Sequence, residues 1–267
     1  MSLTALFTGA TGMRAMDQKL NIVANNIANL ETVGFKASRA NFEDLLYQTI
    51  VRPGGTNALQ EPLPYGTQIG LGVTLSGTQL DFRQGSPDVT GNDLDIAIEG
   101  DGFFQVTTVV DGNQEIAYTR AGNFTRNANG EMVLGNSIGS RMEPPITIPP
   151  NATDVSIKTD GRVFVTEGGV QTEVGQIQIA RFVNPAGLLQ NGKNLFLRTD
   201  ASGEAVVGNP SEQGLGIILG GTLERANVDP VRELIELIKT QRAFEINSQT
   251  IKAADENLQT LNNLRRL

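Results

Sequence analysis

Residues that could carry catalysis are few in this sequence, and their types narrow the possible chemistry. The chain of 267 residues contains no cysteine and no histidine. Thiolate nucleophiles, disulfides, Cys/His zinc sites and histidine triads are therefore excluded, while carboxylate chemistry remains possible. Glu43 and Asp44 are adjacent carboxylates of the kind that act as acid and base on a glycosidic bond. Because they follow the first predicted helix, capping, solvation or subunit contact explains them better than a cell-wall hydrolase, which stays the alternative.

A second acidic cluster contains Asp93, Asp95, Glu99 and Asp101. Calcium loops of the EF-hand type need a D-x-D-x-D-G frame, which this spacing does not provide. The first three acidic residues instead alternate with leucine and isoleucine at 94, 96 and 98. This period of two predicts a strand with a solvated acidic face. We therefore predict no metal site, no cofactor and no enzymatic activity.

Composition disfavours nucleic acid and membrane partners. The formal net charge is −8 and no long basic run is present, whereas phosphate contacts need clustered lysine and arginine. The glycine-rich stretch 66–72 matches neither a P-loop nor a Rossmann fingerprint, so it predicts turn and strand. No segment approaches the ~18 apolar residues of a membrane helix, and the N-terminus lacks a secretory pattern. We expect a chain that is not embedded in a membrane.

The first element that the sequence predicts is an N-terminal helix. Positions 6, 13, 20 and 27 recur every seven residues, and positions 9, 16, 23 and 30 form a companion series on the same stripe, typical of a coiled-coil seam. The apolar members are Leu6, Met13, Met16, Leu20, Val23, Ile27 and Leu30. Gly34 is the predicted helix stop. Glycines 9 and 12 and four asparagines disfavour a helix interior, so this helix should need a packing partner.

The C-terminal end carries a matching signal. Asp229 suits an N-cap and Pro230 the first helical position, and no glycine or proline follows. Apolar residues repeat every seven positions with supporting neighbours: Leu234, Leu237, Ile238, Phe244, Ile251, Leu258 and Leu261. Gln241 and Asn247 fall near this seam, where polar residues fix register at a cost in stability.

The middle of the chain predicts strands. An Asp-Gly pair at 160–161 and an Asn-Gly pair at 129–130 each stand between apolar runs, which is a hairpin signal. The stretch 47–72, with its prolines and glycines, is either a loop or an extended arm. We therefore predict an α+β fold with terminal helices at 1–34 and 229–267 that pair as a coiled coil. Between them we expect a connecting region at 35–90 and 214–228, with an arm at about 47–64, and a mainly-β outer domain at 91–213.

Four motifs, in chain order, give the sequence a specific resemblance. They are ANNIAN at 24–29 with TVGFK at 32–36, IEGDGFF at 98–104, YTRAGNF at 118–124, and NVD at 227–229 with QRAFEIN at 241–247. This set resembles the flagellar rod and hook protein family over nearly the whole chain, and the stretch 42–64 is similar to the distal rod branch. The motif residues taken from the resemblance are Asn25, Asn26, Asn29, Gly34, Phe35, Gln241, Arg242 and Asn247. Phe244 departs from the family's usual tyrosine, which removes a hydroxyl and keeps the apolar contact.

The resemblance implies a structural subunit of the distal rod in the flagellar basal body, spanning the periplasm. In that family the terminal helices form the core of a hollow tube that transmits torque from motor to hook and conducts exported subunits. The implied partners are copies of the chain itself, proximal rod and hook-side axial proteins, the surrounding peptidoglycan and outer-membrane ring proteins, and the flagellar type III export apparatus. The alternatives are a proximal rod or hook-like subunit, and a monomeric binding module with a coiled-coil stalk.

Overall fold

The structure, a computed structural model, describes residues 2–54, 64–110 and 112–264. The side chains at positions 2, 3, 261 and 264 lie outside this description. The chain divides into two compact units. The terminal unit contains Met1–Ile27, Ser38–Gln79 and Asp229–Leu267, and the central unit contains Ala28–Ala37 and Leu80–Val228.

The first element of the terminal unit is helix α1, Ser2–Ala28. It ends six residues before Gly34, so the prediction of a helix over 1–34 is wrong at its C-terminal end. The physical reason is a local turn, in which Thr32 donates from its backbone N–H to the Asn29 carbonyl (3.1 Å) and from its hydroxyl to the Asn29 side chain (3.1 Å). Side-chain and backbone bonds of this type compete with the helix ladder. Leu30, predicted to extend the seam, therefore follows the helix.

The second long helix, α2, spans Pro230–Leu264. The carboxylate of Asp229 accepts hydrogen bonds from the backbone N–H groups of Val231 (3.0 Å) and Arg232 (3.2 Å), which satisfies two of the free donors at the helix start. Pro230 occupies the first helical position, where its missing N–H costs nothing. The predicted start is thereby confirmed. At 35 residues the helix is about 52 Å long.

The segment between α1 and the central unit's sheets forms a long antiparallel hairpin rather than a loop. Its strands are β1 (Ser38–Asp44), β2 (Tyr47–Val51), β3 (Thr67–Gly70) and β4 (Val73–Leu80). Strand β1 pairs with β4, and β2 pairs with β3. The predicted arm at 47–64 thus begins as strand β2, while residues 55–63 of that prediction lie outside the described residues.

The central unit is built from antiparallel strands. Its largest sheet, counted over the described residues, has nine strands in the order β16-β17-β8-β7-β11-β10-β9, with β15 pairing with both β7 and β18. These strands are β7 (Phe103–Val110), β8 (Asn113–Thr119), β9 (Phe124–Arg126), β10 (Met132–Leu134), β11 (Arg141–Met142), β15 (Ile179–Arg181), β16 (Leu189–Gln190), β17 (Phe196–Leu197) and β18 (Val206–Gly208).

Three smaller sheets complete the central unit within the described residues. One contains β12 (Asp154–Ile157), β13 (Arg162–Glu167) and β14 (Val170–Gln176). The others are the pair β6 (Ile96–Glu99) with β19 (Ile217–Gly220), and the pair β5 (Pro87–Val89) with β20 (Thr222–Glu224). A short 3₁₀ helix, Pro185–Gly187, precedes β16. Both predicted hairpins are confirmed, because β12 pairs with β13 and β9 pairs with β10.

The central unit encloses its own core. Alternate residues of β6, β7, β8, β10 and β13 point into one cluster of fully buried side chains, among them Ile96, Ile98, Phe104, Val106, Phe124, Met132, Val163 and Val165. A second cluster contains Phe103, Tyr118, Ala180, Phe182, Leu188 and Phe196. Its rings meet edge to face, for example Tyr118 on Phe182 with centroids 4.7 Å apart.

The strand predicted over 93–99 is present only over 96–99, as β6, because residues 93 and 94 lie in a turn, and its acidic face is not fully solvated. Asp95 is only 7% exposed, so that part of the prediction is wrong. The Thr90 hydroxyl (2.6 Å) and the Asn92 side-chain amide (3.1 Å) donate to its two carboxylate oxygens and replace water there. Asp95 is a hydrogen-bond acceptor that fixes the turn before β6.

Candidate assembly interface

One face of α2 carries a regular heptad repeat. Residues of this face are half-buried or buried at spacings of three and four: Glu233, Leu237, Thr240, Phe244, Asn247, Ile251, Ala254 and Leu258. Thr240 and Ala254 are the most enclosed, at 1% and 7% exposed. Leu261, the last predicted member, lies outside the described side chains. The spacing matches the a/d pattern of paired helices.

Glycines of α1 provide the surface on which this face of α2 packs. A Cβ atom added at Gly9 would lie 2.8 Å from Cγ1 of Ile251, and one added at Gly12 would lie 3.0 Å from the Asn247 side chain. Such distances leave no room for a larger residue at position 9 unless Ile251 moves. The two glycines, which weaken the helix by propensity, therefore let the second helix approach closely.

The predicted seam residues of α1 are not equally enclosed. Val23 is buried at 4% exposed. The others are half-buried: Leu6, Met13, Met16, Leu20 and Ile27 in the helix, and Leu30 after it.

Polar contacts at the other end of the pair fix its register. Asn26, 2% exposed, donates from Nδ2 to the Ser38 carbonyl (2.9 Å) and to Oε2 of Glu233 (3.4 Å), and its Oδ1 accepts from the Ser38 N–H (3.0 Å). Lys19 donates to Glu236. The start of α1 thus meets the end of α2, and the end of α1 meets the start of α2, so the two helices run antiparallel.

These contacts shift two carboxyl groups in opposite directions. The hydrogen bond from Lys19 holds the pKa of Glu236 below its ordinary value. Burial raises the pKa of Glu233, although the hydrogen bond from Asn26 opposes the shift.

The remaining family-motif residues are placed in different environments. Gln241, predicted near the seam, is exposed, because it is rotated away from the face that Phe244 and Asn247 share. Arg242 is also exposed and donates to Glu245 at 2.7 Å. Asn25 is exposed, Asn29 and Phe35 are half-buried, and Gly34 is buried in the central unit.

A second apolar stripe lies on roughly the opposite side of α2 from the heptad face. It consists of Val231, Leu234, Ile235 and Ile238, which are 66%, 50%, 48% and 57% exposed. Leu234 and Ile238 were predicted to support the seam; the structure places them away from α1, because both are rotated off the line through Leu237. We call these four residues the outer stripe. Sequence reasoning missed that the first part of α2 is apolar on two sides.

The hairpin also exposes large apolar side chains. Leu46 is 85% exposed, Tyr47 54%, Ile50 59% and Tyr65 84%. Large apolar side chains left exposed close together along the chain make the hairpin a candidate interaction surface.

Two further features bear on function. Among the described residues, no group of three or more acidic side chains is arranged to hold a metal ion. Neither described helix has the length and hydropathy together that a membrane crossing requires.

Family profiles match three parts of the chain in order. Residues 6–36 match "Flagella basal body rod protein", residues 97–165 match "Flagellar hook protein FlgE/F/G D1 domain", and residues 219–264 match "Flagellar basal body rod FlgEFG protein C-terminal". The first and last cover most of the two helices, and the middle one covers much of the central unit. These matches define the chain as an axial structural protein of the bacterial flagellum.

Full-length relatives narrow the class. Proteins named flagellar basal-body rod protein FlgG are 45% identical in Caulobacter vibrioides (98% of this chain, 100% of the relative), 45% in Agrobacterium fabrum (95% and 96%) and 39% in Bacillus subtilis (99% and 100%). A crystal structure of the Helicobacter pylori hook protein FlgE2 gives a TM-score of 0.24 at 15% identity, covering 70% of this chain and 43% of that chain. The chain belongs to the flagellar basal-body rod protein family, as its motifs indicated, and is a structural subunit of the rod.

Proposed function

We propose that the chain polymerises into the distal rod through its two helices, which pair as a coiled coil and pack on neighbouring copies. The resulting shaft is a hollow, rigid tube that carries torque from motor to hook and conducts exported subunits. The partners are other copies of the chain, the proximal rod and hook-side axial proteins, and the rings around the rod. Full-length similarity to proteins named FlgG supports this assignment over a proximal rod or hook-like subunit.

The observation that carries the proposal is the outer stripe. Helix α1 covers one side of α2, and four aliphatic side chains on the other side remain 48–66% exposed. A helix that is apolar on two sides is stable only when both sides are covered. Burying one large aliphatic side chain contributes ~1.5–3 kcal/mol, so covering the stripe in a polymer supplies substantial free energy.

Assembly of this kind requires contacts that repeat without closing into a ring. The outer stripe must therefore meet a different surface on the neighbouring copy, because two copies joined stripe to stripe would form a closed pair. The glycines and asparagines of α1 make its helix weak alone. We therefore propose that ordering of the helices is coupled to assembly. Circular dichroism should show more helix per chain in the polymer than in the dispersed chain, and equal content would refute the coupling.

The direct test introduces charge into the stripe. The double variant Leu234→Glu/Ile238→Glu keeps the helix propensity of α2, but assembly would have to bury two new charges at the contact. Polymers should therefore disappear from sedimentation assays and electron micrographs. The matched control is Val170→Glu/Val183→Glu, since both valines are exposed in the central unit at 65% and 88%. Polymers of normal yield from the stripe variant would reject the proposal.

The hairpin is proposed to stiffen the rod by bridging neighbouring subunits through its exposed Leu46, Tyr47 and Ile50. Deleting 47–70 and closing β1 onto β4 with an Asn-Gly turn should leave polymerisation intact but give curved polymers in electron micrographs. Straight polymers from the deletion variant would count against this role.

We propose that the chain has no hydrolase activity. A zymogram with cell-wall substrate distinguishes a carboxylate-based hydrolase, and we expect no clearing. Concentration-dependent polymer formation distinguishes the rod subunit from a monomeric binding module.

A further inference from the structure

The chain passes between the two units four times, after residues 27, 37, 79 and 228. On the central side, the segments next to these crossings are 28–37, 80–86 and 224–228. Hydrogen bonds within the central unit bring all three segments to one place, which we call the node. It is built around the side chains of Lys36, Arg120, Glu224 and Asn227.

The carboxylate of Glu224 is the centre of the node. Lys36 donates from Nζ to Oε1 of Glu224 (2.7 Å) and to the Arg83 carbonyl (2.8 Å). The Gly85 N–H donates to the same Oε1 (2.8 Å), and Arg120 Nη1 lies 3.4 Å from Oε2. The Lys36, Glu224 and Arg120 side chains are 0%, 1% and 4% exposed.

Asn227 ties the same segments together without charge. Its Oδ1 accepts from the Ala37 N–H (2.8 Å), and its own N–H donates to the Phe35 carbonyl (3.3 Å). Its Nδ2 donates to the carbonyls of Asp81 (2.6 Å) and Arg83 (3.0 Å). One asparagine thus bonds the segment after α1, the segment after β4 and its own segment before α2.

The node allows little substitution. Gly34 donates its N–H to the Glu224 carbonyl (2.7 Å), has φ +67°, and leaves no space for a Cβ, which would lie 2.6 Å from the Ala121 nitrogen. Two buried cations share one carboxylate, and burial lowers the pKa of both Lys36 and Arg120. Removing the carboxylate would leave both cations uncompensated.

We propose that the node is a mechanical joint, which holds every connection to the terminal unit against the central unit's core, so that load on the helices is carried by this cluster. The proposal rests on the proposed rod function for the origin of the load. A merely structural polar cluster would stabilise the central unit as a whole, whereas a joint controls the crossing segments selectively.

The test compares Glu224→Gln with the matched control Glu204→Gln, whose side chain is 86% exposed and pairs with Arg198 at the surface. Both full-length proteins are digested with trypsin under native conditions, and cleavage is timed by mass spectrometry. In Glu224→Gln we expect cleavage after Lys36 and Arg83 to be at least about tenfold faster, since the segments open locally. Cleavage after Arg162 in β13, remote from the crossings in sequence, should keep its rate, and the control should match the native chain.

Equal rates after Lys36 in the native chain and the variant would overturn the joint, and so would a uniform acceleration that includes Arg162. If Glu224→Gln fails to fold, Asn227→Ala gives the same test without an uncompensated charge. Polymer formation is scored separately by electron microscopy. Glu224→Gln should still polymerise because the outer stripe is untouched. If the native chain itself fails to polymerise, the proposed rod function is overturned. The proteolysis result still tests the joint in that case, because it is measured on the dispersed chain.

Discussion

The two units of this molecule solve the burial of apolar side chains in opposite ways. In the central unit, long side chains such as Phe104, Ile98 and Met132 are fully enclosed by the unit's own strands. In the terminal unit, Ala15, Val23 and Ala254 are the buried hydrophobic residues among those described, while Leu234, Ile238 and Leu46 face outward. The central unit has a finished core, whereas the terminal unit has an unfinished one, with exposed apolar side chains of the kind that partner surfaces cover.

The largest effect is expected from a substitution in the enclosed core of the central unit. Phe104→Ala should destabilise the central unit by about 3–5 kcal/mol, because it removes a fully buried ring and leaves a cavity. Phe7→Ala removes a side chain of α1 that is 53% exposed, and it should change the free energy of unfolding by less than about 0.5 kcal/mol. Denaturant unfolding of the dispersed chain measures both, and comparable losses would break the contrast.

A smaller effect is expected where the two helices meet. Gly9→Val should destabilise the helix pair by about 1–3 kcal/mol through overpacking against Ile251. Ile251→Ala in the same chain should recover part of that loss, since it removes the atoms that the new side chain meets. The melting temperature of the polymer's helical signal gives the double-mutant cycle. Strictly additive losses would show that these positions do not touch.

The smallest effect concerns the pair Lys19–Glu236. Because the folded-state pKa of Glu236 is depressed, its stabilisation is present above the ordinary carboxyl range and is lost as pH falls through the folded-state value. The pair is partly exposed, so it should contribute about 0.2–1 kcal/mol. The melting temperatures of native and Glu236→Gln polymers should differ at pH 7 and converge as the pH falls through the depressed folded-state pKa of Glu236. Titration of Glu233 contributes equally to both proteins and cancels in the comparison. A melting-temperature difference that does not change with pH would show that the Lys19–Glu236 pair does not contribute as assigned.

Much of the architecture could be predicted because local signals agreed with the fold. The Asp229–Pro230 start, the seven-residue repeat of α2 and the Asp-Gly and Asn-Gly turns each act over a few residues. The end of α1 could not be predicted from Gly34 alone, because the turn at Asn29 competes with the helix ladder. Asp95 was misjudged because the partners that satisfy it lie in a preceding loop.

The candidate assembly interface was only partly predictable, because a heptad repeat identifies an apolar stripe on a helix but does not show which surface packs against that stripe. Leu234 and Ile238 belong to the same apolar series as Leu237, yet lie on another side of the helix. Lys36 stands inside a recognisable motif, but its burial depends on Glu224 and Arg120, which are distant from it in sequence. Only the folded chain shows that these three residues meet.

The central claim is that the outer stripe becomes buried when copies assemble, and thiol accessibility tests it most directly. The chain contains no cysteine, so Ile238→Cys introduces a single reactive group. Its alkylation rate is measured in the dispersed chain and in the assembled polymer, with Val183→Cys as the comparison site in the central unit. We expect alkylation at position 238 to slow by at least about tenfold on assembly, as for a group that reacts only after local opening. Equal rates in the two states would contradict the account.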